Sequence, residues 1–495
     1  MLINPYIYAP TTASEFKMTI DTTETGGTTP ADTFMLRLAV GPTNFTIYWG
    51  DGNSDVITTY NQAELTHVYA AGGSYQISID GSFYGLNNGY ADDGKMMSID
   101  NWGTNVWGTC AGAFFYCDKL VANYSDTPDF SQVTNFSVMF QYCSLFNGSV
   151  DDWDTSSAIY MSSMFWLASA FNQPIAFDTS NVIDMSSMFR QSAFNQIINF
   201  DGSSLINATN MFISAPSMNS SVTITNSTLL ENCSGMFSQM SSFNSAVTLT
   251  TTSVTNMSNM FAYSNAFNTE PRFNGGTSNV TTMSSMFINN LVFNHVLGFI
   301  SDTSNVISMA GMFYNCYAFN QSVSGFNTSN VTSMFAMFQN CSVFNQPVPF
   351  DTGNVTNMQA MFFSCQQLNQ AINFNTVNVN TMYGMFINCS QLISATLSDT
   401  SNVTTMLNMF AGTGTFNQDI SSWNITSLTT ASGMFSGNNG FSTTNYDLLL
   451  PAWDAYGTSS VPFHAGTAQY SAGAPATAHA NMISRSWTIT DGGPV

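Results

Sequence analysis

The chain has 495 residues, and its seven basic against 29 acidic side chains give a formal charge of −22 with only 7% of residues charged. That acidic excess excludes a nucleic-acid partner, since a phosphate backbone would be repelled, and it disfavours anionic membrane surfaces. Charge this scarce, against roughly 25% in ordinary soluble domains, leaves solubility to Ser, Thr, Asn and Gln, while 44% hydrophobic residues supply ample core.

Residues 1–14 are short, apolar and punctuated by Pro and Thr, and read as an N-terminal arm. Met1-Leu2-Ile3-Asn4-Pro5-Tyr6 has neither a basic nor an apolar leader region, so no secretory signal is expected. No run of 18 apolar residues exists, so no membrane insertion is expected. Residues 15–84 change to strand-like alternation, as in Phe16-Lys17-Met18-Thr19-Ile20 and Phe45-Thr46-Ile47-Tyr48-Trp49, broken by the turn Gly50-Asp51-Gly52-Asn53. A small β-sandwich is predicted there. Asp51, Asn53 and Asp55 alternate as calcium ligands do, but the positions that an EF-hand loop fills with Gly and Glu hold Val56 and Gln62. Turn geometry is the expected role, and no metal or cofactor is predicted. Residues 85–109 read as a connector and N-terminal cap, with Ser98-Ile99-Asp100-Asn101-Trp102-Gly103 as a covering rung.

From 110 to 440 the chain repeats. Met-Phe pairs recur from Met139-Phe140 to Met434-Phe435 at intervals of 23 to 26 residues, and Ala113-Phe114 is a worn first copy, which makes about 14 units. A fixed period of this size marks a solenoid, in which each unit buries its apolar face against its neighbours. One unit runs Phe319-Asn320-Gln321 through Phe326-Asn327-Thr328-Ser329-Asn330-Val331 to Met334, Met337-Phe338 and Cys341. The Phe-Asn-Gln segment, with Ile or Val at its middle, suits a strand. The stacked strands are expected to form one parallel sheet. Asp-Thr-Ser-Asn suits a corner whose side chains bond their own backbone, and Met-x-x-Met-Phe suits one helical or 3₁₀ turn. The units near 201–275 are the most eroded.

Six cysteines (Cys117, Cys143, Cys316, Cys341, Cys365, Cys389) stand four residues after the Met position, and Cys110 and Cys233 three before it. Other units place Ser or another small residue there, so the expectation is a column of buried free thiols. Rungs about 4.8 Å apart leave a bridge such as Cys341 to Cys365 open. Asp154, Asp178, Asp302, Asp351 and Asp399 share one corner column; paired acids could hydrolyse glycosides, but Asn327 and Asn375 fill the same column, so hydrogen bonding is the expected role. The Asn column at 172, 195, 244, 268, 294, 320, 345, 369 and 417 is expected to be an internal amide ladder. The histidines, His67, His295, His464 and His479, show no metal-ligand or nucleophile–base spacing, so no catalytic residue is predicted and the binding residues are not assigned.

Two resemblances follow. Trp49-Gly50-Asp51-Gly52, His67-Val68-Tyr69 and Gly73-Ser74-Tyr75-Gln76-Ile77 resemble the polycystic-kidney-disease (PKD) type of immunoglobulin-like domain, which implies a spacer or contact module. The repeat, through Asp-Thr-Ser-Asn-Val and Met-Phe-x-x-Cys, is similar to the BspA-like "surface protein" class of leucine-rich repeats over about two thirds of the chain. That likeness implies a leucine-rich-repeat-like solenoid used for attachment on exterior surfaces.

Residues 441–495 read as a C-terminal cap, with a helix from Thr443 to Leu450 punctuated by Pro451, a second from Ala474 to Ser486, and the strand Trp487-Thr488-Ile489-Thr490. This tail resembles the terminal module of phage-encoded members of the repeat family. The fold expected is therefore mainly β, a solenoid of about 14 rungs preceded by a small β-sandwich and closed by an α/β cap. The function expected is that of an exterior virion structural protein (tail fibre, head fibre or capsid decoration) presenting the solenoid for host attachment. The alternatives are a bacterial cell-surface adhesin and a polysaccharide-degrading solenoid enzyme. The expected partners are other virion proteins at the N-terminal region and a host-surface glycan or protein, with a homo-oligomer open.

Overall fold

The computed structural model describes residues 14–87, 89, 91–438 and 440–495. The arm expected over 1–14 therefore lies, but for Ser14, outside the described residues. The chain is a mainly β repeat solenoid with a small helical region at its C-terminus. It divides into two compact units, Met1–Asn232 with Ser245–Thr250, and Cys233–Asn244 with Thr251–Val495.

The first unit opens with β1 (Phe16–Asp21), β2 (Thr33–Met35), β3 (Thr43–Tyr48), β4 (Ser54–Ile57), β5 (Thr66–Val68) and β6 (Ser74–Phe83). Alternation places Phe16, Met18, Ile20, Phe45, Ile47, Ile77 and Ile79 inside, as period-2 patterning requires. One sheet has the order β4-β3-β6-β1, and β2 pairs with β5 in a second. Residues expected to be a connector carry β7 (Met96–Asn101), which pairs antiparallel with β1 and parallel with β8 (Val121–Ala122). The sheet of the N-terminal region thus runs directly into the first rung of the repeat.

Further along this unit, β9 (Ile198–Asp201), β10 (Val222–Thr225) and β11 (Val247–Thr250) form a parallel sheet. The second unit adds β12 (Arg272–Asn274) and the parallel pair β13 (Ile372–Phe374) and β14 (Ala395–Leu397). Regular strands at the Phe-Asn-Gln segment are thus confined to rungs such as Val222-Thr223-Ile224-Thr225, whose β-branched alternation favours them. Elsewhere that segment holds Pro174, Pro347, Pro349 or Gly325, which remove a donor or weaken the strand. The persistent ladder lies instead two residues after the buried Val, or the Ala or Leu that replaces it. Single parallel bridges link Asn135, Tyr160, Asp184, Asn207 and Asn232 in the first unit, and run from Asn256 through Thr282, Ser308, Ser333, Asn357, Thr381 and Thr405 to Thr430 in the second.

The Met-x-x-Met-Phe segment keeps i→i+3 hydrogen bonds, but as overlapping β-turns in which residues take a left-handed conformation at two fixed places. The first place runs from Gly112 (φ 65°) and Val138 (φ 54°) to Ala336 (φ 51°) and Gly433 (φ 63°); the second, four residues later, runs from Tyr116 (φ 65°) to Asn340 (φ 63°) and Gly437 (φ 71°). The consequence is an alternation of backbone donors. Met337, Gln339 and Cys341 donate within the turn (3.2, 3.1 and 3.0 Å), whereas Met334, Ala336, Phe338 and Asn340 donate to Asn357, Gln359, Met361 and Phe363 of the next rung (3.1, 2.9, 2.9 and 2.7 Å). Phe335 departs from the alternation, its N–H lying 3.5 Å from Ser333 Oγ, so each backbone N–H from Met334 to Cys341 has a destination, as burial demands.

Inside, phenylalanine rings stack in register. Phe114, Phe140, Phe165, Phe189 and Phe212 follow at 5.4 to 5.8 Å in the first unit. In the second, Phe237, Phe261, Phe287, Phe313, Phe338, Phe362, Phe386, Phe410 and Phe435 follow at 5.5 to 5.8 Å. A buried threonine column ties rungs at the corner: Thr303, Thr328 and Thr352 hydroxyls donate to the carbonyls of Asn327, Asp351 and Asn375 at 2.8 to 2.9 Å.

At the C-terminus, α1 (Thr443–Asp454) starts at Ser442, whose hydroxyl accepts from the Asn445 amide at 3.3 Å. It runs past Pro451 rather than stopping there, because Leu449, Leu450 and Trp453 are buried on its inner face and Trp453 packs 5.1 Å from Phe463. β15 (Pro462–His464) pairs with β16 (Thr488–Thr490) in parallel, and α2 (Ala474–Ser484) packs on α1.

Candidate functional site

The second unit presents one long regular surface, made by the strand-like stretch that follows each corner. Its sequence alternates exposed Asn, buried Val and exposed Thr or Ile: Asn279-Val280-Thr281, Asn305-Val306-Ile307, Asn330-Val331-Thr332, Asn354-Val355-Thr356 and Asn402-Val403-Thr404. Alternation of this kind sends the valines to the core and lines up the polar side chains outside. Each amide is held. Asn305, Asn330, Asn354 and Asn378 donate through Nδ2 to the carbonyls of Ser278, Ser304, Ser329 and Gly353 at 2.7 to 2.8 Å. The threonines do likewise, Thr332 to Ile307 and Thr356 to Thr332 at 3.3 and 3.2 Å. A shallow groove of about 640 Å³ lies here, lined by Asn279, Thr281, Asn305, Ile307, Asn330, Thr332 and Asn354. None of these side chains is charged.

The first unit carries a different surface feature on its turns. Tyr116 and Tyr142 stack at 4.1 Å, Trp166 follows at 5.8 Å, and the Arg190 guanidinium lies 4.6 Å over the Trp166 ring. The Trp166 indole N–H donates to Gln191 Oε1 at 3.1 Å. Tyr116 and Tyr142 cover each other's faces and Arg190 covers one face of Trp166, which leaves fewer ring faces free to stack on a ligand. Sequence reading expected a polar, uncharged solenoid face to contact glycans or protein but assigned it no rungs, because it followed the buried columns, and it passed over the aromatic cluster. The available signals were the repeated Asn-Val-Thr, and Tyr116 and Tyr142 at a column where most later units hold Gln, Asn or Ser.

Asp154, Asp178, Asp302, Asp351 and Asp399 each accept, through Oδ1, the backbone N–H two residues on, at 2.8 to 3.1 Å. For Asp154 the Ser156 hydroxyl, and for Asp302 and Asp399 the Ser304 and Ser401 amides, hold the carboxyl below its ordinary value. They are corner braces, each turned on its own rung. The Asn ladder is real but not internal. Asn172, Asn195, Asn294, Asn320, Asn345 and Asn369 donate their backbone N–H to the side-chain Oδ1 of the preceding rung's asparagine at 2.8 to 2.9 Å, while lying at the surface or half-buried.

All eight cysteines are free and buried. Cys143, Cys316, Cys341, Cys365 and Cys389 point their thiols at the phenylalanine carbonyls of the preceding rung at 2.9 to 3.0 Å. Burial pushes these thiols well up, and Cys233 up to about 12, which makes them inert rather than nucleophilic.

In the N-terminal region, the Trp49, His67 and Tyr75 motifs meet. Trp49 stacks on His67 at 4.8 Å, Tyr69 stacks on Tyr75 at 3.9 Å, and the Tyr69 hydroxyl donates to the Trp49 carbonyl at 3.0 Å. Asp51 accepts from Asn53 and lies 2.9 Å from His67 Nε2, while Asp55 accepts from the Trp49 indole at 2.7 Å. Burial alone would raise the Asp51 carboxyl, but these hydrogen bonds hold it below the usual range. The acidic side chains of this turn are thus committed to protein donors. In the C-terminal cap, Asp491 accepts from the Tyr446 hydroxyl at 2.7 Å and lies 3.2 Å from His479, which stacks on Tyr470. Among the described residues, no group of three or more His, Cys, Asp or Glu side chains is disposed to hold a metal ion.

The repeat matches a family described as Mycoplasma protein of unknown function, DUF285, in overlapping segments 108–226, 175–274, 221–301, 274–373, 299–398 and 371–454. Together these span 347 of the 495 residues. The chain belongs to the DUF285 family. The DUF285 segments begin at the first rung and run through α1, leaving β1–β7 and the last part of the cap outside. No curated protein and no solved structure matches the chain. No described helix is long and apolar enough to cross a membrane.

Proposed function

We propose that this chain is an exterior attachment protein whose DUF285 repeat array presents a binding face to a host surface and carries out no chemistry of its own. The supporting observation is the face of ordered, exposed, uncharged Asn and Thr side chains over successive rungs of the second unit. Such a face offers many aligned polar contacts without demanding an oppositely charged partner.

In the first reading the carrier is a virion. The N-terminal region seats against other virion proteins, and its interlocked Trp49, His67, Tyr69 and Tyr75 cluster supports a PKD-like spacer or contact module. A second reading, a bacterial cell-surface adhesin, is favoured by the description of DUF285 from Mycoplasma. Mass spectrometry of purified particles and of protease-shaved cell surfaces separates them. Recovery from particles supports the first and recovery from shaved cells the second. Absence from both, or failure of the labelled full chain to bind host cells, overturns the attachment reading.

A further inference from the structure

We propose that the exposed Asn/Thr face of the second unit binds an extended, neutral polysaccharide lying across successive rungs. The inference rests on the attachment reading and supplies its ligand class. The decisive feature is which hydrogen-bonding groups are left over. Asn279, Asn305, Asn330, Asn354, Asn378 and Asn402 each commit Nδ2 to a carbonyl of the preceding rung at 2.6 to 2.8 Å. The Oδ1 atoms of these exposed side chains receive no protein donor among the described residues. Thr281, Thr332, Thr356 and Thr404 commit their hydroxyl protons the same way, at 3.0 to 3.3 Å, leaving lone pairs outward.

The face is therefore a fixed lattice of acceptors, two residues apart along each rung and repeated at the rung spacing of about 4.8 Å. Its amides are already immobilised, so binding orders little that is not ordered beforehand. A ligand must bring donors at short, regular intervals and must not be anionic, since acceptors and a net charge of −22 repel anions. A chain of hydroxyl-rich, uncharged sugars meets both demands, and the groove of about 640 Å³ across the Asn279 to Asn354 rungs gives it a seat, with Ile307 as an apolar contact. Uronic or sialylated polymers fail the second demand.

The test is affinity electrophoresis of the full chain in gels cast with mannan, dextran or hydroxyethyl cellulose, beside gels cast with alginate. The variant is the triple substitution Thr281→Ile, Thr332→Ile, Thr356→Ile. Ile307 already occupies this column, so strand and core are kept, and unchanged circular dichroism and melting verify it. Retardation of the native chain by a neutral polymer, none by alginate, and a loss of at least about tenfold in the variant support the proposal, since three weak hydrogen bonds are removed. Retardation by alginate, by none of the neutral polymers, or equally in the variant overturns it. So does displacement of host-cell binding by a lysine-rich peptide but not by the neutral polymers, which would assign the lattice to a protein. If the variant binds host cells as the native chain does, this site falls while the attachment reading stands; if the native chain binds none, that reading falls too.

Discussion

Phe335 and Phe338 stand three residues apart in one rung and are the sharpest probe of which columns face inward. Phe338 is fully buried, with ring centroids of Phe313, Phe362 and Phe344 at 5.7, 5.6 and 4.4 Å, whereas Phe335 is 40% exposed. Truncating a buried phenylalanine to alanine costs about 3–5 kcal/mol in transfer and cavity terms. Stacked pairs add about 0.5–1.5 kcal/mol each, and two neighbours of Phe338 are themselves ladder rings, so Phe338→Ala is expected at or near the top of that range. Phe335→Ala removes a half-solvated ring and is expected to cost less than about 1 kcal/mol. Because long repeat arrays lose all-or-none unfolding, the assay is native-state hydrogen exchange at the amides of residues 334–341 and of the rungs on either side, supported by urea titration. In Phe338→Ala, protection should fall most at its own rung and the adjoining ones. Equal costs for the two substitutions, or a cost below about 1 kcal/mol for Phe338→Ala, would refute the stacked-core assignment.

Val138 is a β-branched residue held at φ 54°, at a column where other rungs use Gly, Asn, Ser or Ala. A left-handed conformation costs such a residue roughly 1–2 kcal/mol; Val138→Asn, the choice already made at Asn210 and Asn259, should therefore stabilise the first unit by about 1 kcal/mol in urea titration, and a clear loss would contradict the strain. For the thiols, burial raises the folded-state pKa above the unfolded one, so their contribution to stability is complete below pH 9 and is lost as the pH climbs from about 9 towards about 12 for Cys233. Melting temperatures should fall over that window and fall less in Cys233→Ser, whereas a thiol reagent at pH 8 should leave the folded chain unlabelled. At the acidic corners, Asp154, Asp302 and Asp399 have carboxyls held below the usual 3.8, so their contribution is present above that value and is lost as the pH drops through their lowered folded-state values. Asp178→Asn should be nearly neutral because Asn327 and Asn375 serve the same turn, while Asp178→Ala should cost about 1 kcal/mol in the same titration.

The buried architecture was legible because stacking writes itself into sequence as columns. A methionine, phenylalanine or cysteine that must meet its equivalent one rung away leaves a periodic trace, and Met334, Phe338 and Cys341 all lie inside as their spacing required. Backbone path left a fainter trace. The spacing of Met334, Met337 and Phe338 is equally compatible with a helical turn and with linked β-turns, and only the left-handed residues at Ala336 and Asn340 decide between them. Ser, Asn, Gly and Ala at these places are a weak signal in sequence, since each also suits an exposed turn. The asparagine ladders show the limit most plainly. Their periodicity revealed that Asn172 and Asn320 take part in something repeated, but hydrogen bonding between rungs is required equally inside and at the surface, and period alone is silent on which. The same ambiguity hid the Asn330, Thr332 and Asn354 face. A side chain that bridges rungs with its donor and offers solvent its acceptor satisfies the fold and lines up exposed acceptors with one set of atoms. In a solenoid of this kind, stability and the proposed recognition draw on the same repeat, so a candidate attachment surface is marked by the hydrogen-bonding groups that the architecture leaves unpaired rather than by an interruption of the pattern.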